Sequence, residues 1–195
     1  VSGIFKFLKG KARRILLPLF FVGTLHELIK VYAPGTNTSV ELKDVWRVYF
    51  FSVDHFWFLQ AIFLIFITVA ILEYRQILNT HNKWLTILIT TGLIYVILPF
   101  FKTSFFSING YLKLLPYFIL GLGVKRFSAE KMNTKRITLI GLVLFVSLII
   151  QQILWFRPTG LSVFETKTLS IIAGISGITI IFHFRKPVLI LARLG

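Results

Sequence analysis

Cysteine is absent from the 195 residues, so the chain can form neither a disulfide nor a thiolate nucleophile. With no Cys/His cluster to propose zinc or an iron–sulfur site, no metal is expected. Acidic residues are scarce: 7 Asp and Glu stand against 22 Lys and Arg, for a formal charge of +15. Such a surplus can mark a nucleic-acid binder. Here the cations fall mainly in short segments between apolar runs, where membrane proteins retain them in cytoplasmic loops facing anionic lipid. Nucleic acid is therefore not expected as a partner, and the lipid bilayer is. Repeats and low-complexity tracts are also missing. Gly121 and Gly123 have no soluble strand and turn around them, which a nucleotide loop would need, so they read as sites of close helix packing.

Apolar residues dominate what is there. They make up 56% of the chain, aromatic residues 16%, with 21 Phe, and the mean hydropathy is +0.81. Water is the wrong solvent for such a composition. Six segments are apolar enough to cross a hydrocarbon core of roughly 30 Å: residues 15 to 32, 56 to 72, 84 to 101, 108 to 124, 137 to 156 and 168 to 184. Each is expected to be helical, because lipid offers no partner to an open backbone amide. The predicted fold is all-α, a polytopic transmembrane helix bundle of about six spanning helices in a single membrane domain over residues 1 to 195. The fourth segment carries Lys113, which can snorkel, and Pro116, which can kink the helix.

Orientation follows from the cations. With the N-terminal segment cytoplasmic, the inner segments (1 to 14, 73 to 83, 125 to 136, 185 to 193) hold 15 of the 22 Lys and Arg. The outer remainder is Lys30, Lys43, Arg47, Lys102, Lys113, Arg157 and Lys167, a bias that favours this orientation. The longest segment between spans, 33 to 55, opens on turn residues. Its second half reads as a short amphipathic helix at the outer interface, with Trp46, Tyr49, Phe50 and Phe51 at headgroup level. The chain opens at Val1 and ends just after entering another apolar run, Val188 to Leu191, as a piece of a longer chain would.

Three groups of residues can carry chemistry. Lys9, Lys11, Arg13 and Arg14 run straight into the first span; Lys11 and Arg14, three apart, share a helix face and can hold phosphates, or the cluster can simply fix orientation on lipid headgroups. Asp54-His55-Phe56-Trp57-Phe58-Leu59-Gln60 joins the outer segment to the second span. It offers an imidazole base, or else an interfacial aromatic anchor with Asp54 as the helix N-cap. His26 and Glu27 lie inside the first span with Lys30 one turn on, where Glu27 and Lys30 can pair or line an outward aqueous cavity. Gln151, Gln152, Ser104, Ser107 and Asn109 can line a polar pocket or bond neighbouring helices, while His81 and His183 read as interfacial.

Three motifs in order carry a resemblance: Lys11-Ala-Arg13-Arg14-Ile15-Leu-Leu-Pro18, then His55-Phe-Trp57-Phe58-Leu59, then Leu115-Pro116-Tyr117-Phe118-Ile-Leu-Gly121. They resemble the acyltransferase-3 family of integral membrane O-acyltransferases, over nearly the whole chain but without the family's first and last membrane helices. The resemblance implies transfer of an acyl group, commonly acetyl, from cytoplasmic acyl-CoA to a hydroxyl of an extracytoplasmic carbohydrate or glycolipid. It implies a bacterial inner (plasma) membrane location and a role in O-acetylation at the cell envelope. It also implies that Lys11 and Arg14 steady the CoA phosphates, and that His55 and Trp57 face substrate or shape the outer end. The family often has two arginines where this chain has Lys11 and Arg14, so charge is kept but one bidentate fork is lost. The family's catalytic histidine sits in its first membrane helix, upstream of this chain. The catalytic residue is thus left unassigned, neither His26 nor His55 takes its place, and the fragment alone is expected to be inactive. A transporter or flippase fragment, with His26 and Glu27 as the intramembrane site, is the alternative, and a scaffold without chemistry is a further one.

Overall fold

The computed structural model describes residues 2–33, 40–98, 105–127, 134–156 and 162–184. Seven α-helices follow in chain order: α1 (Ser2–Tyr32), α2 (Arg47–Phe50), α3 (Trp57–Tyr74), α4 (His81–Ile97), α5 (Ile108–Phe127), α6 (Thr134–Trp155) and α7 (Val163–Phe184). Short 3-10 turns at Leu42–Asp44 and Asp54–Phe56 flank α2. Among the described residues no strand forms, and β pairing is confined to an isolated bridge between Phe51 and Phe105. The fold class is all-α, as expected where apolar segments must satisfy their own amides.

Among the described residues four stretches are long and apolar enough to cross a bilayer: Gly3–Tyr32, Asp54–Tyr74, Lys135–Trp155 and Val163–His183. α4 has 17 residues and rises only about 26 Å, and the last residues of its expected span, 99 to 101, lie outside the described residues. α5 is longer, but Lys113 within it and Lys125 and Arg126 in its last turn lower its hydropathy. The exposed faces suit lipid: α6 displays Leu139, Leu142, Phe145, Leu148 and Ile153, a surface no aqueous protein would leave open. These helices make the chain an integral membrane protein.

α1 reaches further towards the N-terminus than the apolar pattern suggested. Its 31 residues include the whole basic cluster, because Lys, Arg and Ala are good helix formers and no proline interrupts before Pro18. The helix is therefore about 46 Å long.

The chain divides into two compact units, Val1–Ile87 with Leu98–Pro116 and Leu88–Ile97 with Tyr117–Gly195, so α4 and α5 contribute residues to both. In the first unit α3 packs along α1. It buries Ala61, Ile65 and Val69 at four-residue spacing, one face of a helix. α2 sits against α1 where Gly23 leaves room; a Cβ there would stand 3.1 Å from Val48 Cγ2. Beside it, Thr24 Oγ1 and Tyr49 OH share a hydrogen bond of 2.6 Å.

Gln60, fully buried, then locks three segments together. Its Nε2 donates to the carbonyls of Val48 (3.0 Å) and Phe51 (3.1 Å), and its Oε1 accepts from Ser107 Oγ at 2.5 Å. Ser107, itself buried, lies 2.8 Å from Ser52 Oγ. Both ends of the amide are thereby satisfied, which a buried polar group requires.

In the second unit α6 packs on α7. Tyr117 OH donates to the Ser170 carbonyl at 2.8 Å, and its ring covers Gly174 so closely that a Cβ at that position would collide with it. Lys167, counted from the sequence among loop cations, is instead a buried residue of α7 with its ammonium 5.2 Å from the Tyr95 ring centroid.

Candidate functional site

The C-terminal turns of α1 gather ionisable groups that the sequence separates by more than twenty positions. His26 and Lys30, four apart, project from one face, and Glu27 stands one turn before Lys30. Lys30 Nζ donates to Glu27 Oε1 at 3.3 Å and also to Asp54 Oδ2. His26 Nε2 lies 3.1 Å from the same Asp54 oxygen. Asp54 sits in the 3-10 turn ahead of α3 with φ of 41°, a left-handed conformation that Asp tolerates better than most residues. It is the N-cap of neither that turn nor α3, those positions being held by Val53 and Phe56. Its partners are on α1, so it ties that helix to the turn that starts α3.

Burial sharpens the electrostatics. The side chains of Lys30 and Glu27 are 13% and 4% exposed, and a charge so placed needs a partner. Lys30 supplies it to both carboxylates. His26, Glu27 and Asp54 bring donor atoms within 4.8 Å of one another, but the Lys30 ammonium already engages both carboxylates, so a metal would have to displace it.

Three members of this cluster, Glu27, Lys30 and Asp54 but not His26, line a cavity of about 490 Å³. Glu27, Lys30 and Asp54 share its lining with Glu41, Asp44 and Arg47 from the segment around α2, with Phe51 and Ser52 adding an aromatic edge and a hydroxyl. Arg47 lies 3.7 Å from Asp44, and Lys43 lies 2.7 Å from Glu41. Cations and carboxylates able to grip a hydroxyl-rich ligand converge here on a space of ligand size.

The N-terminal turns of the same helix present the opposite chemistry. Arg13 and Arg14 are exposed, and with Gly10, Leu17, Pro18 and Phe21, all on α1, they border a shallow open groove along that one helix. Arg14 and Lys30 are sixteen positions apart on one continuous helix, roughly 24 Å. That distance is most of a hydrocarbon core.

Residues 2–194 match the acyltransferase-3 family, described as an acyltransferase domain. The chain belongs to this family. None of the curated proteins and none of the solved structures compared matches it.

The acyltransferase-3 motifs fall at distinct places. Lys11 turns away from the groove: its ammonium sits 4.3 Å from the Phe66 ring centroid on α3 and 5.4 Å from that of Phe7, a cation–π clamp between helices. Arg13, not Lys11, lines the groove beside Arg14. His55 is exposed, its ring 6.2 Å from that of His26. Trp57 packs on the start of α5, where a Cβ on Gly110 would lie 2.6 Å from its Cε3. Neither His55 nor Trp57 belongs to the described lining of the cavity.

Of the polar pocket expected from Gln151, Gln152, Ser104, Ser107 and Asn109, Ser107 is spent on Gln60, Gln152 is exposed on α6, and Ser104 lies outside the described residues. Glu41, Asp44 and Arg47, absent from the candidate residues of the sequence, also line the cavity. The signal for them lies in the segment before α3 that reads as a short amphipathic helix at the outer interface.

Proposed function

We propose that this acyltransferase-3 chain moves an acyl group, acetyl in the simplest case, from acyl-CoA in the cytoplasm to a hydroxyl of a carbohydrate or glycolipid on the far side of a bacterial inner (plasma) membrane, with the N-terminal segment cytoplasmic. The single observation that carries the reading is the division of charge along α1. Exposed arginines stand at one end and a polar cavity at the other, about a membrane core apart. In the reaction the acceptor oxygen attacks the thioester carbonyl as a general base takes the hydroxyl proton, the C–S bond breaks, and CoA leaves as a thiolate that takes up that proton from the base to become its thiol. Arg13 and Arg14 bind donor phosphates by charge-assisted hydrogen bonds. Lys11 positions α1 against α3 rather than touching the donor. The cavity of Glu27, Lys30, Asp44 and Asp54 accepts the sugar, whose hydroxyls pair with carboxylates and ammonium. His55 and Trp57 support its rim.

The base is assigned to no residue of this chain. Pairing of Glu27 with Lys30 favours this reading over a translocation site, because a carboxylate closed by an ammonium one turn away is already neutralised. The test is Arg13→Ala with Arg14→Ala in the full-length enzyme in native membranes. The apparent KM for acyl-CoA should rise about tenfold or more, with the acceptor KM unchanged; an unaltered donor KM would remove the proposed donor site.

A further inference from the structure

We propose that the cavity beside Asp54 selects a neutral or amino-bearing sugar and turns away acidic ones; this rests on its reading as the acceptor site. The chain holds 7 carboxylate side chains against 22 cations, yet four of the 7 (Glu27, Glu41, Asp44 and Asp54) line this one space, where Lys30 and Arg47 are the cations among the described residues. A strongly basic protein has concentrated its scarce negative charge in one place.

Both lining cations are already engaged. Lys30 is held by Glu27 and Asp54, and Arg47 faces Asp44 at 3.7 Å. An incoming uronate or other sugar acid would have to compete with these carboxylates for each cation while facing a net negative wall. Counting Lys43, which pairs with Glu41 at 2.7 Å on the rim, the balance is still four against three. A sugar hydroxyl meets no such opposition: it can donate to Asp44 or Glu41 and leave the ion pairs intact. A protonated amine gains more, since it can join the carboxylates as Lys30 does. Like charge placed against like charge is an established route to rejecting the wrong partner.

The experiment measures binding apart from transfer. The full-length protein, in nanodiscs of phosphatidylcholine so that no sugar detergent competes, is titrated with the methyl glycosides of glucosamine, glucose and glucuronic acid. The titration is run at about pH 6, below the range of an ordinary α-amine. The expected order is glucosaminide, glucoside, glucuronide, with about tenfold between first and last. Glu41→Gln with Asp44→Asn, both on a short exposed turn, should shrink that span to within about twofold, and Lys43→Gln should widen it. Glucuronide bound as tightly as glucosaminide, an order unmoved by Glu41→Gln with Asp44→Asn, or no binding of any of the three would overturn the proposal. A parallel transfer assay separates the two readings. If the binding order holds and transfer is absent, the selectivity stands and the acyl-acceptor role falls; if transfer proceeds with reversed preference, only the selectivity falls.

Discussion

The two ends of α1 handle charge in contrary ways. At its C-terminal turns His26, Glu27 and Lys30 are drawn into a closed set by Asp54, half-buried and tied to the turn ahead of α3. At its N-terminal turns Lys6, Lys9, Arg13 and Arg14 meet no carboxylate among the described residues, and Lys11 rests on an aromatic ring instead. Charges that are closed on one another hold structure and shape a cavity; charges left open are free for a ligand's phosphates or for lipid. Helix packing at the two ends differs accordingly, with hydrogen bonds through Gln60 at one and a cation–π contact through Phe66 at the other.

The contrast breaks most readily at Gln60. Replacing it with Leu strips partners from the Val48 and Phe51 carbonyls and from Ser107, and each buried group left unsatisfied costs about 1–3 kcal/mol. Thermal unfolding in detergent should show the largest fall of the series, and an unchanged melting temperature would mean the network holds nothing. Asp54→Asn comes next. It leaves Lys30 with Glu27 alone and removes the carboxylate beside His26; since Asp54 is 33% exposed, about 1 kcal/mol of stability is expected, discounted for solvent. Acceptor KM should rise with little change for the donor, and a donor-side effect would contradict the division between the ends. Lys11→Ala should cost about 0.5–2 kcal/mol through the lost ring contact, whereas Lys11→Arg, which keeps a cation over Phe66, should restore most of it. Smallest in stability, within about 0.5 kcal/mol, is Arg13→Ala with Arg14→Ala, and its loss should be confined to donor affinity. A melting shift larger than that of Lys11→Ala would reverse the assignment of these roles.

The helices were legible because lipid leaves an apolar run a single backbone solution, and residues 56 to 72 and 137 to 156 of the expected spans correspond closely to α3 and α6. Their chemistry was harder to read. Asp54 looks like an N-cap from its neighbours alone, and only the approach of α1 makes it an ion-pair partner 24 positions from Lys30. Lys11 and Arg14 share a face by spacing, yet the Lys11 ammonium lies over Phe66 on another helix, while Arg13 and Arg14 border the same open space. Gln60 drew no notice inside an aromatic motif, since the carbonyls it bonds belong to a segment whose path no periodicity encodes. Lys167 passed as a loop cation because α7 begins earlier than its apolar run. In each case local pattern located the element, and a contact between elements set the side chain's task.

α1 is about 46 Å long against a hydrocarbon slab of roughly 30 Å. The surplus, some ten residues, must stand in the headgroup layer or be taken up by tilt. Bilayer thickness thereby becomes a variable of the protein: shorter acyl chains let more of the rod emerge, and longer ones draw Arg14 towards oil it resists. Reconstitution across a series of lipid chain lengths should reveal an optimum, set by how deeply this one helix is immersed.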